Sequence, residues 1–240
     1  MIENLRNALE YLVDLGRDQD KVIRVNGENY STCKLERIDD NVSIRSLEIN
    51  TLSGLVDYMK SNVDKEYRDN LLVIVNSPTR VTLKKEINSD GDRPQIMEVS
   101  AIVPHIRYAD YYETETFNIL LQSAFIDGEH KDILLKVVGN IKEEVIKNVG
   151  DDGISQAATI KTGIATVSDV KVPNPVSLRP RRTFNEIEQP ESKFIFRMKD
   201  GPKCALFEAD GGAWRNEAMN NIKKYLDKEL EGIEGVTIIS

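Results

Sequence analysis

The stretch LLVIVNSPTRVTLKKEI, residues 71–87, opens with an unbroken apolar run, Leu71 to Val75. It turns at Ser77-Pro78, and then Val81, Leu83, Lys85 and Ile87 alternate with Thr82, Lys84 and Glu86. The continuous run predicts a strand buried on both faces, and the period-two alternation predicts a half-buried one. The polar loop NSDGDRP (88–94) and a strand over Ile96–Val103 follow. Upstream, Leu5, Ala8, Leu9, Leu12 and Leu15 fall at helical spacing, so residues 3–15 form an amphipathic helix that stops at Gly16. Val22–Val25 and Tyr30–Leu35 are short strands about Asn26-Gly27, a dipeptide whose tolerance of positive φ favours a hairpin turn. Leu52, Leu55, Val56, Met59 and Val63 mark a helix over 52–63, with Thr51 as its N-cap.

Downstream, Pro104–Glu115 reads as an irregular connection. Phe117–Phe125 is assigned to a strand because Phe117, Ile119, Leu121, Ser123 and Phe125 alternate with Asn118 and Gln122. Lys131–Lys147 is a helix with Leu134, Val137, Val138, Ile141 and Val145 on one face. Ser155–Val172, rich in Thr, Val, Ile and Ala, is extended. Five of the eight prolines lie between Pro173 and Pro202. Proline has no N–H for a sheet ladder, so 172–191 is an ordered arm or long loop rather than sheet interior. Phe194–Met198 and Cys204–Phe207 pair across Asp200-Gly201. A last helix spans 213–230 through Trp214, Ala218, Ile222, Tyr225, Leu226 and Leu230, and Val236–Ile239 adds an edge strand.

Helices and strands do not alternate as a doubly wound sheet requires. The fold class is therefore α+β: a mostly antiparallel sheet, about four packed helices (3–15, 52–63, 131–147, 213–230) and a long Pro-containing arm. One domain over 1–240 is expected, with a subdivision near Gly150 as the alternative.

Among the 240 residues, 32 Lys+Arg face 40 Asp+Glu, a formal net charge of −8. That balance argues against a protein that coats nucleic acid. Two Cys and two His are too few for a zinc framework. Cys33 and Cys204 read as small buried hydrophobes. No apolar run approaches the ~18 residues of a membrane helix. The opening MIENLRNALEYL lacks the basic and apolar regions of a secretory signal. No membrane partner and a cytoplasmic location are expected.

Two segments are candidates for binding. Ala209-Asp210-Gly211-Gly212-Ala213-Trp214-Arg215 lies between a predicted strand and a predicted helix. There, free N–H groups suit an anion; alternatively Asp210 caps the helix and Gly211 and Gly212 make the turn. Arg179, Arg181 and Arg182 form a basic run with no acid between Lys171 and Arg182. Guanidinium forks suit phosphate or carboxylate, and the competing reading is a subunit or intradomain contact with the chain's own carboxylates. Asp151-Asp152, Asp90 with Asp92, and Glu113 with Glu115 are acidic pairs for a divalent cation, yet none has EF-hand spacing. Turn and cap roles account for Asp90, Asp92 and Asp152. His105 and His130 are too few and too isolated for a triad or a metal site, and Tyr108, Tyr111 and Tyr112 are structural, or a contact surface, rather than base-stacking. No G-x-S-x-G, H-E-x-x-H or G-x-G-x-x-G motif occurs. No catalytic residue, metal or cofactor is assigned.

The segments LSGLVDYMKSN (52–62), VIVNSPTRVTL (73–83), FNILLQSAF (117–125) and LLKVVGNIKEEVIKNVGDDGISQAATIKTGIA (134–165), with VPNPVSLRPRRTFNEIEQPESKFIFRM (172–198) and ALFEADGGAWRNEAMNNIKKYL (205–226), together resemble the YfdQ-like family. This is a domain-of-unknown-function family of tailed phages and prophages. The resemblance spans nearly the whole chain and is most specific in RTF…EQPES and ADGGAW. It implies a phage or prophage source and a place in the host cytoplasm, and it carries no active site.

The expected function is that of a non-enzymatic phage accessory protein acting as a homo-oligomer: a ring, shell or filament. The arm would lie across a neighbouring subunit. The alternative is a binding module for nucleic acid, a nucleotide or a host protein in phage replication, recombination or counter-defence. A carboxylate-based metal hydrolase is the only enzyme type the residues permit.

Overall fold

The structure is a computed structural model. It describes residues 2–17, 22–25, 28–31, 45–61, 63–64, 70–88, 91–139, 150–151, 156–162, 166–199 and 203–240. Contacts divide the chain into two units, Met1–Ser43 and Ile44–Ser240.

The first unit holds α1 (Ile2–Arg17) and the antiparallel pair β1 (Val22–Val25) and β2 (Glu28–Ser31). Val25 faces Glu28, as a hairpin around the expected turn requires. Asn26-Gly27 and residues 32–35, with Cys33, lie outside the described residues. The α1 stripe has the expected spacing, and its Leu5, Leu9 and Leu12 are 65%, 56% and 64% exposed.

The second unit contains β3 (Leu47–Ile49), α2 (Leu52–Ser61), β4 (Leu71–Ser77), β5 (Arg80–Lys84), β6 (Gln95–Ser100), β7 (Tyr112–Glu113), α3 (Thr114–Ala124) and α4 (Glu129–Gly139). It continues with β8 (Gly150–Asp151), β9 (Gln156–Thr162), β10 (Thr166–Lys171), β11 (Val176–Leu178), β12 (Ser192–Lys199), β13 (Lys203–Glu208), α5 (Trp214–Glu229) and β14 (Val236–Ile239).

Its first layer is a five-stranded sheet in the order β14-β4-β5-β6-β3. The inner pairs are antiparallel; the edge strands β14 and β3 run parallel to their neighbours. Helices α2 and α5 pack on it, burying Leu52, Leu55, Met59, Ile222 and Leu226 with Leu71, Val73, Val75, Val81 and Leu83. The expectation that β4 is buried on both faces is corrected: Leu71, Val73 and Val75 are buried, while Leu72 and Ile74 on the other face are only half-buried. Alternate residues point to opposite faces, and this core lies on one of them. Thr51 caps α2 as expected, accepting the Gly54 N–H on its Oγ1 at 3.2 Å. The helix is described to Ser61 only, and Val63 is exposed rather than part of its stripe.

The second layer is the antiparallel sheet β11-β12-β13-β7 with α3 and α4 against it. Here the assignment of 117–125 to a strand is overturned: 114–124 is helix α3. Phe117, Leu121 and Ala124 are buried, at i, i+4 and i+7, while Ile119 is 59% exposed. Leu120 breaks the alternation in the sequence because the period is 3.6, not 2. The helix expected over 131–147 begins at Glu129 and is described to Gly139, with Leu134, Val137 and Val138 buried. Ile141 and Val145 lie outside the described residues. A third sheet, β10-β9-β8, is antiparallel and accounts for the extended texture after Ser155.

The Pro-containing segment 172–191 spends its apolar side chains inside the chain. Val172, Val176 and Leu178 belong to the second core, Phe184 and Ile187 to the first. Strand β11 pairs with β12, and Pro180 bridges to Phe125. Both cores also join residues from before and after Gly150, so the chain divides after Ser43 rather than there. Among the described residues, no helix is long and apolar enough to cross a membrane.

Candidate functional site

The segment that links the two cores carries an arginine into the interior. Arg182 is 6% exposed. Its Nη1 donates to Glu208 Oε1 at 2.9 Å, and its Nη2 donates to the Ser192 hydroxyl. Ser192 Oγ donates in turn to Asp210 Oδ2 at 2.5 Å. The guanidinium carbon lies 3.8 Å from the centre of the Trp214 ring and 5.7 Å from that of Phe194. Burying a cation is costly unless it is paired and hydrogen-bonded. Desolvation lowers the Arg182 pKa, and the nearby Tyr108, Glu208 and Asp210 oppose that shift.

Neighbouring polar groups complete the arrangement. The Gln189 side-chain oxygen accepts the N–H groups of Arg182 (3.0 Å) and Thr183 (3.2 Å). Its amide nitrogen donates to the Phe184 carbonyl at 2.8 Å. Thr183 Oγ1 donates to the Pro78 carbonyl in the β4–β5 turn. Gln189 thus supplies the partners that a sheet would otherwise give to buried backbone. Tyr108 stacks on Phe194 at 5.4 Å, and burial pushes its hydroxyl up to about 12. Tyr108 and Arg182 act on each other in this interior, and Trp214 Nε1 is buried without a hydrogen-bond partner among the described residues.

The structure therefore brings Arg182, Asp210, Gly212 and Trp214 together, though not as an anion cradle. Asp210 Oδ1 accepts the Gly212 N–H at 3.0 Å, two residues on. The turn then winds tightly into α5: Ala213 N donates to Asp210 O, Arg215 N to Gly212 O, and Asn216 N to Ala213 O. Gly211 (φ 64°) and Gly212 (φ 81°) take the left-handed backbone this path needs. The N–H groups of Gly212, Ala213, Arg215 and Asn216 are thus used within the turn, and an ionised carboxylate sits among them. The helix N-cap is Ala213, without a side-chain bond, so Asp210 makes a turn rather than a cap. Burial opposes ionisation of Asp210, but the Ser192 hydroxyl, the Gly212 N–H and Arg182 outweigh it and hold its pKa below the ordinary carboxylate range.

Arg179 and Arg181 lie elsewhere, beside the start of α4. Arg179 Nη2 donates to the Asp127 carbonyl at 3.1 Å, and the exposed Arg181 donates its N–H to Ala124 O at 2.8 Å. Lys131, buried, bonds Asp127 Oδ1 at 2.7 Å and the Phe125 carbonyl at 2.9 Å. His130 Nδ1 accepts the Ser177 N–H at 2.7 Å. Arg179, Lys131, His130 and Asp127 line an open cleft of about 420 Å³ with Glu129 and Glu191. Three of its cationic or imidazole groups are thus already tied to the chain's own carbonyls, carboxylates or N–H groups.

Other expected groups also meet their own chain. Tyr112 packs on Phe117, and Tyr111 packs on Phe207 with Lys199 over its ring. Glu113 pairs with Lys203 at 2.8 Å. Cys204 is fully buried, and burial raises its thiol to about 12. Asp90 and Asp152 lie outside the described residues. Among those described, no three His, Cys, Asp or Glu are grouped as a metal site requires. Sequence reasoning missed Gln189, Ser192, Glu208 and Tyr108 in the arginine network, and the His130–Ser177 bond. Compared with known protein families, curated proteins and solved structures, the chain matches none.

Proposed function

We propose that this chain is a non-enzymatic accessory protein of a tailed phage or prophage and works as a homo-oligomer in the host cytoplasm. The phage setting rests on the resemblance to the YfdQ-like family. Self-association rests on one observation: Leu5, Leu9, Leu12 and Val13 stand exposed on one face of α1, each more than half open to solvent. A contiguous apolar face of this kind marks an interaction surface. The arginines that would serve a nucleotide or nucleic-acid site support the same reading. Arg182 is neutralised by Glu208, and Arg179 is bonded to the Asp127 carbonyl.

Size-exclusion chromatography with light scattering tests it. The purified chain is expected to elute as an oligomer at micromolar concentration and to keep that mass in high salt, because apolar contacts are not screened. A mass of one chain at every concentration overturns the reading. Dissociation by salt would return the contact to charged groups.

A further inference from the structure

Helix α1 has the register of a paired helix. With Leu5 at heptad position d, Leu9 falls at a and Leu12 at d, and Ile2 precedes them at a. Apolar residues at a and d form the seam along which helices pair. Leu5, Leu9 and Leu12 are all exposed, and Ala8 at g and Val13 at e widen the stripe beside them. Most of the charges lie off it. Glu3, Glu10, Asp14 and Arg17 occupy b and f positions, and Arg6, at e, is held by Glu10 at 3.0 Å.

Four observations choose the occupant. The seam itself is uncharged, so two copies meet without repulsion. The rest of the helix carries three acids against two arginines, the wrong balance for an anionic membrane or for nucleic acid. The Met1–Ser43 unit lies close to the ~40 residues below which oligomerisation usually has to supply stability. A 16-residue helix is also marginal alone in water and draws its stability from packing.

We propose that α1 is the self-association element, its Leu5–Leu9–Leu12 seam packing on the same seam of a second copy. This rests on the homo-oligomer reading above and names its contact. The test compares the full chain with Leu5→Glu/Leu9→Glu/Leu12→Glu and with Asn7→Glu, which lies at f, off the seam. The triple variant is expected to fall to the mass of one chain, and Asn7→Glu to keep the wild-type mass. Trp214, the single tryptophan, sits in the second unit and reports by its fluorescence that Ile44–Ser240 remains folded in every variant. A wild-type monomer overturns both readings. A triple variant with unchanged oligomer mass overturns only the assignment to α1. Wild-type binding to phosphatidylglycerol vesicles, lost in the triple variant while the mass stays that of one chain, would assign the face to lipid instead.

Discussion

Arg182 is the residue on which most local chemistry converges. Its guanidinium joins Glu208, Ser192 and, through Ser192, Asp210, while resting on Trp214. Replacing it by Met keeps bulk but removes the charge and takes away a donor from two polar partners, Glu208 and Ser192. Breaking a buried pair costs about 3–5 kcal/mol. Glu208 is partly exposed and regains water, so Arg182→Met is expected to cost about 2–4 kcal/mol in urea unfolding followed by Trp214 fluorescence. Arg182→Lys keeps the charge without the fork and should fall between the two. A loss under about 0.5 kcal/mol, the scale of an ordinary surface change, would remove Arg182 from this role. The sequence marked Arg182, Asp210, Gly212 and Trp214 as special. It could not tell an anion site from an internal pair, because the deciding partners, Ser192 and Glu208, lie 10 and 26 residues from Arg182.

At the scale of elements, α3 separates local pattern from packing. Phe117, Ile119 and Leu121 share a face if 117–125 is a strand, and Ile119 leaves that face if it is a helix. The helix predicts unequal costs at neighbouring positions. Ile119→Lys should change stability by no more than about 0.5 kcal/mol. Leu121→Ala should cost about 2–5 kcal/mol, since Leu121 is fully buried. Thermal or chemical unfolding of the two variants checks this, and equal large losses would restore the strand. Elements with a clean period were legible beforehand: α2, α5 and the β12–β13 hairpin. The half-buried alternation over 81–87 was not, since Thr82 is buried like Val81 and Leu83, the strand ends at Lys84 and Ile87 is exposed. α3 was not, because Leu120 and Ser123 leave both periods partly satisfied.

For the whole molecule, acid should weaken the fold through carboxylates whose ionised form is held in place. Asp210 has a depressed pKa in the folded chain. A group of this kind stabilises the fold above its unfolded pKa, about 3.9, and that contribution disappears as pH falls through the folded value. The melting temperature is therefore expected to drop steeply below about pH 4, and less steeply in Asp210→Asn. Parallel slopes in melting curves taken by circular dichroism would show that Asp210 carries none of the effect. The two layers of the second unit are joined by the segment around Arg182 and Gln189, so acid loss there is expected to loosen both cores together.

Local pattern determined much about this chain: the α+β class, most helices and hairpins, the burial of Cys204 and the turn at Gly211-Gly212. Those features depend on residues within a few positions of one another, where spacing and backbone preference act directly. Only the tertiary structure decided that the Pro-containing segment stitches two cores, that its buried arginine is neutralised within the chain, and that β14 and β3 flank one sheet. Each of these depends on which distant carboxylate, amide or strand edge reaches a given group. The same holds for α1, whose leucines read as a core face in the sequence and stand exposed in the folded chain.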